Sequence, residues 1–267
     1  MSVNAYLSRL AGQAIIRDTE KLSIDRSITT LETRLAGYFP GQYTHNFVFG
    51  SYSRGTILPR RMDERSDVDY MIVFSDTNAR PQTHLTRLKR FAEQRYGQSE
   101  IFQSTPTVVL SLNHIKFELV PAINTLWNGL QIPAKASDYQ DWISTDPHDF
   151  NQSLVSANQR NQNLIKPLVR LVKYWNACNR YPFESYDLEQ RVVNHFSGLA
   201  GLFGMAGRQL KDLFYDFMAS FCGQFMFVQW KKNALDRTAR LIAEAKNNER
   251  YGYHAIAAEN MRTLLPE

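Results

Sequence analysis

Cysteine is scarce in this chain of 267 residues, which carries only Cys178 and Cys222. Their spacing builds no thiolate metal site, so both are expected as buried, reduced thiols, and a disulfide-stapled scaffold is excluded. The six histidines show no paired spacing, which argues against zinc. Long hydrophobic runs are missing too. Residues 196–207 are too short to span a bilayer, and residues 213–230 are interrupted by Asp216, Gln224 and Gln229. Both are expected as core helices, 214–230 being the aromatic-rich one. Residues 1–10 are mixed and polar, without the basic and apolar regions of a secretion signal, so a cytoplasmic location and no membrane partner are expected. No internal repeat or low-complexity tract occurs. Gly198, Gly201, Gly204 and Gly207 recur every third residue, yet no strand precedes them, which suits close helix packing or a turn and not a dinucleotide loop.

Charge of one sign is only mildly in excess. Lys and Arg number 31 against 26 Asp and Glu, a formal net charge of +5. That balance suits polyanionic ligands such as triphosphates but lacks the basic clustering of a dedicated nucleic-acid binder. Arg60-Arg61 and Lys231-Lys232 read as solvated surface.

What the chain does have is Val48-Phe-Gly-Ser-Tyr-Ser-Arg-Gly-Thr56 followed by Ser66-Asp-Val-Asp-Tyr-Met-Ile-Val-Phe74. In a strand, side chains alternate, so Asp67 and Asp69 share one face while Val68 points to the other. Two carboxylates side by side call for a counter-charge, and an all-oxygen set suits Mg²⁺ together with substrate phosphates. Gly50 lets backbone approach phosphate oxygens, and Ser51 adds a hydroxyl and an N–H donor. Alone, Gly50-Ser51 fits an ordinary turn and Asp-Val-Asp a solvated strand start. Their order along the chain joins a phosphate cradle to a metal-binding strand.

Before that turn, residues 25–39 read as a helix, with Ile28, Leu31, Leu35 and Phe39 at helical spacing and Asp25 as its cap. Strands are expected at 46–49, 68–74, 107–112 and 115–120, with a helix near 83–96. Asn113-His114 makes the last two strands a hairpin. Residues 132–150, with Pro133, Ser137 and Asp146-Pro147, read as a connector. From Gln152 the pattern is helical: Leu164, Leu168, Leu171, Val172 and Trp175 form a buried stripe, and Lys166, Arg170 and Lys173 align on a neighbouring face.

These motifs resemble the nucleotidyltransferase superfamily, and more closely its CD-NTases, the cyclic GMP-AMP synthase-like or SMODS enzymes of bacterial anti-phage defence. His114-Ile-Lys-Phe-Glu-Leu-Val-Pro-Ala122 resembles the strand that brings the third metal carboxylate. Leu168-Val-Arg-Leu-Val-Lys-Tyr-Trp175 resembles the helix whose lysine reaches the donor triphosphate, and Phe183-Glu-Ser-Tyr-Asp-Leu-Glu189 their Ser-Tyr-x-x-Glu segment. The resemblance implies an α+β fold: a polymerase-beta-like mixed sheet with helices in residues 1–150, packed against a helical lobe in residues 151–267. It implies catalytic and metal-binding roles for Asp67, Asp69 and Glu118, with two Mg²⁺ ions for which Mn²⁺ can substitute. Gly50, Ser51, Lys173 and Ser185 would hold nucleotide phosphates and Tyr186 would stack on the donor base. Family members mostly carry aspartate where this chain has Glu118. The implied activity joins NTPs, ATP among them, into a cyclic di- or trinucleotide messenger read by a separate effector protein. Transfer to an RNA, protein or small-molecule acceptor, and an inactive nucleotide sensor, are the alternatives.

Overall fold

A computed structural model describes residues 1–125, 129–135, 141–147, 149–197, 207–224 and 226–267. The chain divides into two compact units, Ile16–Asn151 and a discontinuous one made of Met1–Ile15 with Gln152–Glu267.

The first unit is built on a mixed sheet. Its strands are β1 (Tyr43–Phe49), β2 (Asp67–Phe74), β3 (Glu100–Ser104), β4 (Thr107–Ser111), β5 (Lys116–Asn124), β6 (Leu130–Pro133) and β7 (Trp142–Thr145). The central order is β1-β2-β5-β4-β3, with β6 joined to β5 and β7 to β6. Among the described strands only the β2–β5 pair is parallel. Alternation decides what each face carries. Val68, Tyr70, Ile72 and Phe74 of β2 join Phe117 and Leu119 of β5 and Val108 and Leu110 of β4 in one buried cluster. That cluster includes Ile24, Leu31 and Leu35 of helix α2 (Asp18–Tyr38) and Leu85, Leu88 and Phe91 of helix α4 (Pro81–Arg95), so both helices cover this face. Met71, Val73, Val120 and Ala122 belong to the other face, packed with Phe47, Phe49, Leu130 and Ile132. Beyond Asp69, β2 is therefore buried on both sides, as its unbroken apolar run requires.

Two expectations need correction here. Helix α2 begins at Asp18, so Asp25 is a mid-helix residue and not a cap; Asp18 and Glu20 supply the acidic first turn. The stretch expected as a connector contains β6, β7 and the start of helix α5 (Asp149–Arg160). Strands of four residues are too short to show alternation among prolines and serines. The hairpin at 113–114 is present, closed by the Leu112 N–H on the Ile115 carbonyl at 2.9 Å.

The second unit is helical: α1 (Val3–Gln13), most of α5, α6 (Ile165–Cys178), α7 (Ser185–Ser197), α8 (Leu210–Cys222), α9 (Gln229–Arg250) and α10 (His254–Leu264). Although α1 is near the sheet unit in sequence, it packs on α6, α8 and α10, and Tyr6 donates its hydroxyl to the Leu265 carbonyl at 2.5 Å. Trp175, fully buried on α6, donates its indole N–H to Thr238 of α9 at 2.8 Å. The expected core helix 214–230 is in fact two helices: α8 stops before Gly223, and Phe227 stands 93% exposed ahead of α9. Both thiols are free, but Cys178 is exposed and Cys222 half-buried, so the expected burial of the pair does not hold. Gly198, Gly201 and Gly204 lie outside the described residues; Gly207 adopts φ +83°. No described helix is long and apolar enough to cross a membrane.

Candidate active site

Two cross-strand rows organise the face opposite α2 and α4. Asp69 pairs with Phe49 on one side and Glu118 on the other, and Glu118 with Val109. One step along, Asp67 pairs with Lys116 and Lys116 with Ser111. Residues paired across strands share a face, so Asp67, Asp69 and Glu118 lie together, all half-buried. No group of three His, Cys, Asp or Glu side chains among the described residues is gathered closely enough to enclose a metal ion. Adjacent carboxylates repel one another, which favours side chains turned apart. As a donor set they still fit a hard divalent cation, being all oxygen and neighbours in register.

Gly50 supplies the second half of this arrangement. It begins the short helix α3 (Gly50–Arg54) directly after β1, with φ +71°. A Cβ at this position would lie 2.6 Å from Asp69 Cγ and closer still to its Oδ2. Glycine is thus required twice, by the left-handed backbone and by the carboxylate pressed against it. The turn is fastened from behind: the N–H groups of Thr56 and Ile57 both donate to the Ser51 carbonyl, at 2.9 and 3.1 Å, after a left-handed Gly55. Arg54, buried at the end of α3, places its guanidinium 5.2 Å from the Phe150 ring centre.

Tyr52 braces the same turn, a contact that sequence reasoning missed. Its hydroxyl donates to Asp25 Oδ1 at 2.5 Å, and Lys21 donates to Asp25 Oδ2 at 2.8 Å. Hydrogen bonds from Lys21 and then Tyr52 hold the Asp25 carboxyl below its ordinary range, while burial and the Asp25 carboxylate push the Tyr52 hydroxyl up. A depressed carboxylate pKa contributes stability above the unfolded value of about 4, which is lost as pH falls through the folded value. Asp25 is therefore expected to titrate below ordinary aspartates by carboxyl NMR, and Tyr52→Phe to move its midpoint upward. Identical midpoints in the two proteins would show that the brace does not form in solution.

Lys173, Ser185 and Tyr186 lie in the helical unit. Lys173 is 5% exposed and donates to Glu189 of α7 at 3.1 Å; Glu189 is 1% exposed. Arg170 is also buried, with its Nε 3.4 Å from the Ala11 carbonyl, and burial lowers its pKa to about 10. Of the three cations aligned along α6, Arg170 and Lys173 are thus buried and Lys166 half-buried. Ser185 and Tyr186 open α7, with Tyr186 48% exposed. Asn176 positions them: its side chain accepts from the Phe183 N–H at 3.1 Å and donates to the Phe183 carbonyl at 2.8 Å. This pairing holds a loop whose Arg180 and Tyr181 both adopt positive φ, strained for side chains of this size. An asparagine three residues after Lys173 on a buried helix face was the available signal for this anchor.

The fold is that of the nucleotidyltransferases that make cyclic oligonucleotides: a Vibrio cholerae DncV cyclic AMP-GMP synthase, solved with the linear intermediate 5′ pppA(3′,5′)pG, matches with a TM-score of 0.79 at 10% identity, over 100% of this chain and 96% of that one. E. coli CdnC solved with ATP matches with a TM-score of 0.73 at 13% identity, over 100% and 98% of the two chains. The chain belongs to the SMODS family, the Second Messenger Oligonucleotide or Dinucleotide Synthetase domain, whose family model matches residues 1–158. Among curated proteins, a cyclic AMP-AMP-AMP synthase of an Acinetobacter species is 28% identical over 167 residues, covering 60% of this chain. The chain spans 48% of that relative's length, and 32% of the length of a probable cyclic nucleotide synthase of Bacillus cereus that is 30% identical over 106 residues, 38% of this chain.

Proposed function

We propose that this chain is a metal-dependent nucleotidyltransferase that joins NTPs, ATP among them, into a cyclic di- or trinucleotide second messenger. The observation that carries the reading is the register of Asp69 with Glu118, beside a glycine against which the Asp69 carboxylate packs too closely for any side chain. Asp67, Asp69 and Glu118 would hold two divalent ions, Mg²⁺ or in its place Mn²⁺. When bound, such ions neutralise the triphosphate and lower the pKa of a coordinated hydroxyl. Gly50 and Ser51 grip the donor phosphates, and by the family's pattern Lys173 and Ser185 do the same while Tyr186 stacks on the donor base. The acceptor hydroxyl loses its proton toward Glu118 and its oxygen bonds to the donor α-phosphorus. The bond from that phosphorus to the bridging oxygen breaks, and pyrophosphate leaves. A second transfer within the linear product closes the ring. Action in the cytoplasm, beside a separate effector that binds the messenger, belongs to the same proposal.

The test is to incubate the chain with labelled NTPs and Mg²⁺ or Mn²⁺ and then treat with phosphatase. A phosphatase-resistant product is expected. Label that depends on an added RNA, protein or small molecule would instead show transfer to another acceptor, and NTP binding without turnover would show a sensor. In the active protein, Glu118→Gln should lower kcat by about a hundredfold or more with donor binding nearly intact, since a general base contributes about 10²–10⁴ in rate. Glu118→Asp should keep part of the activity. An unchanged kcat in Glu118→Gln would make the residue a bystander on the strand.

A further inference from the structure

Helix α7 carries a second face that the reading above leaves without a role. Arg191, Asn194 and His195 stand a turn apart on it, and Phe217, Ser220 and Phe221 of α8, with Gln224 just past that helix, follow the same helical spacing. Between the two rows lies a cavity of about 280 Å³. Phe217 and Phe221, both nearly buried, form its base, and Asn194, Ser220 and Gln224, all exposed, stand at its rim. The two phenyl rings stack at 5.4 Å with 15° between their planes, and His195 meets Phe217 edge-on at 5.7 Å. An aromatic bed under a few convergent polar groups is the usual make-up of a small-molecule site.

The donors decide what the cavity takes. The Arg191 guanidinium lies 5.9 Å from the Phe221 ring centre; its Nε donates to Asp187 Oδ2 at 2.8 Å and its Nη1 to Gln224 Oε1 at 2.9 Å. Its Nη2 makes no hydrogen bond among the described residues, and neither do the Ser220 hydroxyl and the Asn194 amide. One edge of a planar fork is therefore left for an anion, and carboxylates suit that geometry. Charge balance limits the anion. Asp187 offsets Arg191, and Asp216, 3.7 Å from His195, offsets Arg208 at 2.7 Å. A dianion would face both carboxylates with little surplus positive charge, whereas a monoanion needs only the spare guanidinium edge. The volume, about 280 Å³, holds roughly ten non-hydrogen atoms at about 30 Å³ each, the size of one ring bearing one carboxylate. We propose that the α7–α8 cavity binds a small aromatic carboxylate, its ring against Phe217 and Phe221 and its carboxylate on Arg191 and Ser220. The occupant touches the helix that opens with Ser185 and Tyr186, but its binding does not depend on the synthase reading.

The test titrates benzoate against the whole chain by ligand-observed saturation-transfer NMR. Wild type should bind it with a Kd of about 0.1–1 mM, the range for a ligand of this size. Benzamide, which lacks the charge, and cyclohexanecarboxylate, which lacks the flat ring, should each bind about tenfold more weakly. Ser220→Trp, which fills the cavity from an exposed position, should abolish the signal. Arg191→Gln should weaken binding about tenfold or more, with Arg191→Lys in between. The Arg191 side chain is 40% exposed, so both substitutions should leave the thermal melt near that of wild type; if one variant does not fold, the other decides. Benzoate binding that survives in both variants overturns the site, as does an absence of binding at about ten times the expected Kd. Displacement of benzoate by an equal concentration of inorganic phosphate overturns the assigned ligand class. NTP turnover plays no part in these measurements, so failure of the site leaves the proposed function standing.

Discussion

Asp69→Asn should lower NTP turnover about a thousandfold or more while the protein stays folded. The substitution removes one charge at nearly constant volume from the residue that sits in register with Glu118 and against Gly50. Removing a group that stabilises charge in a transition state commonly costs about 10²–10³ in rate, and a carboxylate that also holds a cation exceeds that. Asp67→Asn should behave similarly. A thermal melt within a few degrees of wild type, together with the lost rate, would establish the chemical role. Near-normal turnover in either variant would remove the carboxylate pair from the reaction, and with it the proposed function.

The second large effect concerns stability. Glu189→Ala leaves the Lys173 ammonium, 6% exposed as a side chain, without its buried carboxylate. Breaking one partner of a buried pair costs about 3–5 kcal/mol. For a unit of this size that corresponds to roughly 10 °C or more in Tm. Replacing both partners together, Lys173→Met with Glu189→Leu, should recover most of the stability, because an apolar pair of similar volume avoids the desolvation cost. The double variant should nevertheless bind ATP more weakly if Lys173 contacts phosphate. A Glu189→Ala protein that melts with wild type would show that the pair is solvated in solution.

The parts of the site that were legible in the sequence are local. Asp67 and Asp69 announce themselves because strand alternation puts them together, and Gly50-Ser51 because the turn directly follows an apolar strand. Long-range pairing leaves no comparable trace. Nothing in residues 114–122 alone sets Glu118 opposite Asp69, or Lys116 opposite Asp67; that follows from a parallel register across more than forty residues. Lys173 reads as one of three cations aligned on a helix face, and nothing local foretells that α7 brings Glu189 beside it, sixteen positions away. Local signals also misled. Asp25 looks like a helix cap because capping residues and mid-helix ion-pairing residues are the same few types. The aromatic stretch 214–230 looks like one buried helix because aromatic content is blind to the break at Gly223.

The placement of α1 has a consequence for synthesis on the ribosome. Its partners α6, α8 and α10 are among the later elements of the chain, and the Leu265 carbonyl that receives the Tyr6 hydroxyl lies 259 residues downstream. At translation rates of about 5–20 residues per second, α1 waits roughly 10 to 50 seconds for that contact. The sheet unit, contiguous from Ile16 to Asn151, emerges whole in the meantime and has no such dependence. An amphipathic segment bearing Val3, Tyr6, Leu7 and Leu10 thus waits unpartnered on the nascent chain until those later elements emerge, so a chaperone that binds short apolar segments would meet it before the helical unit can close.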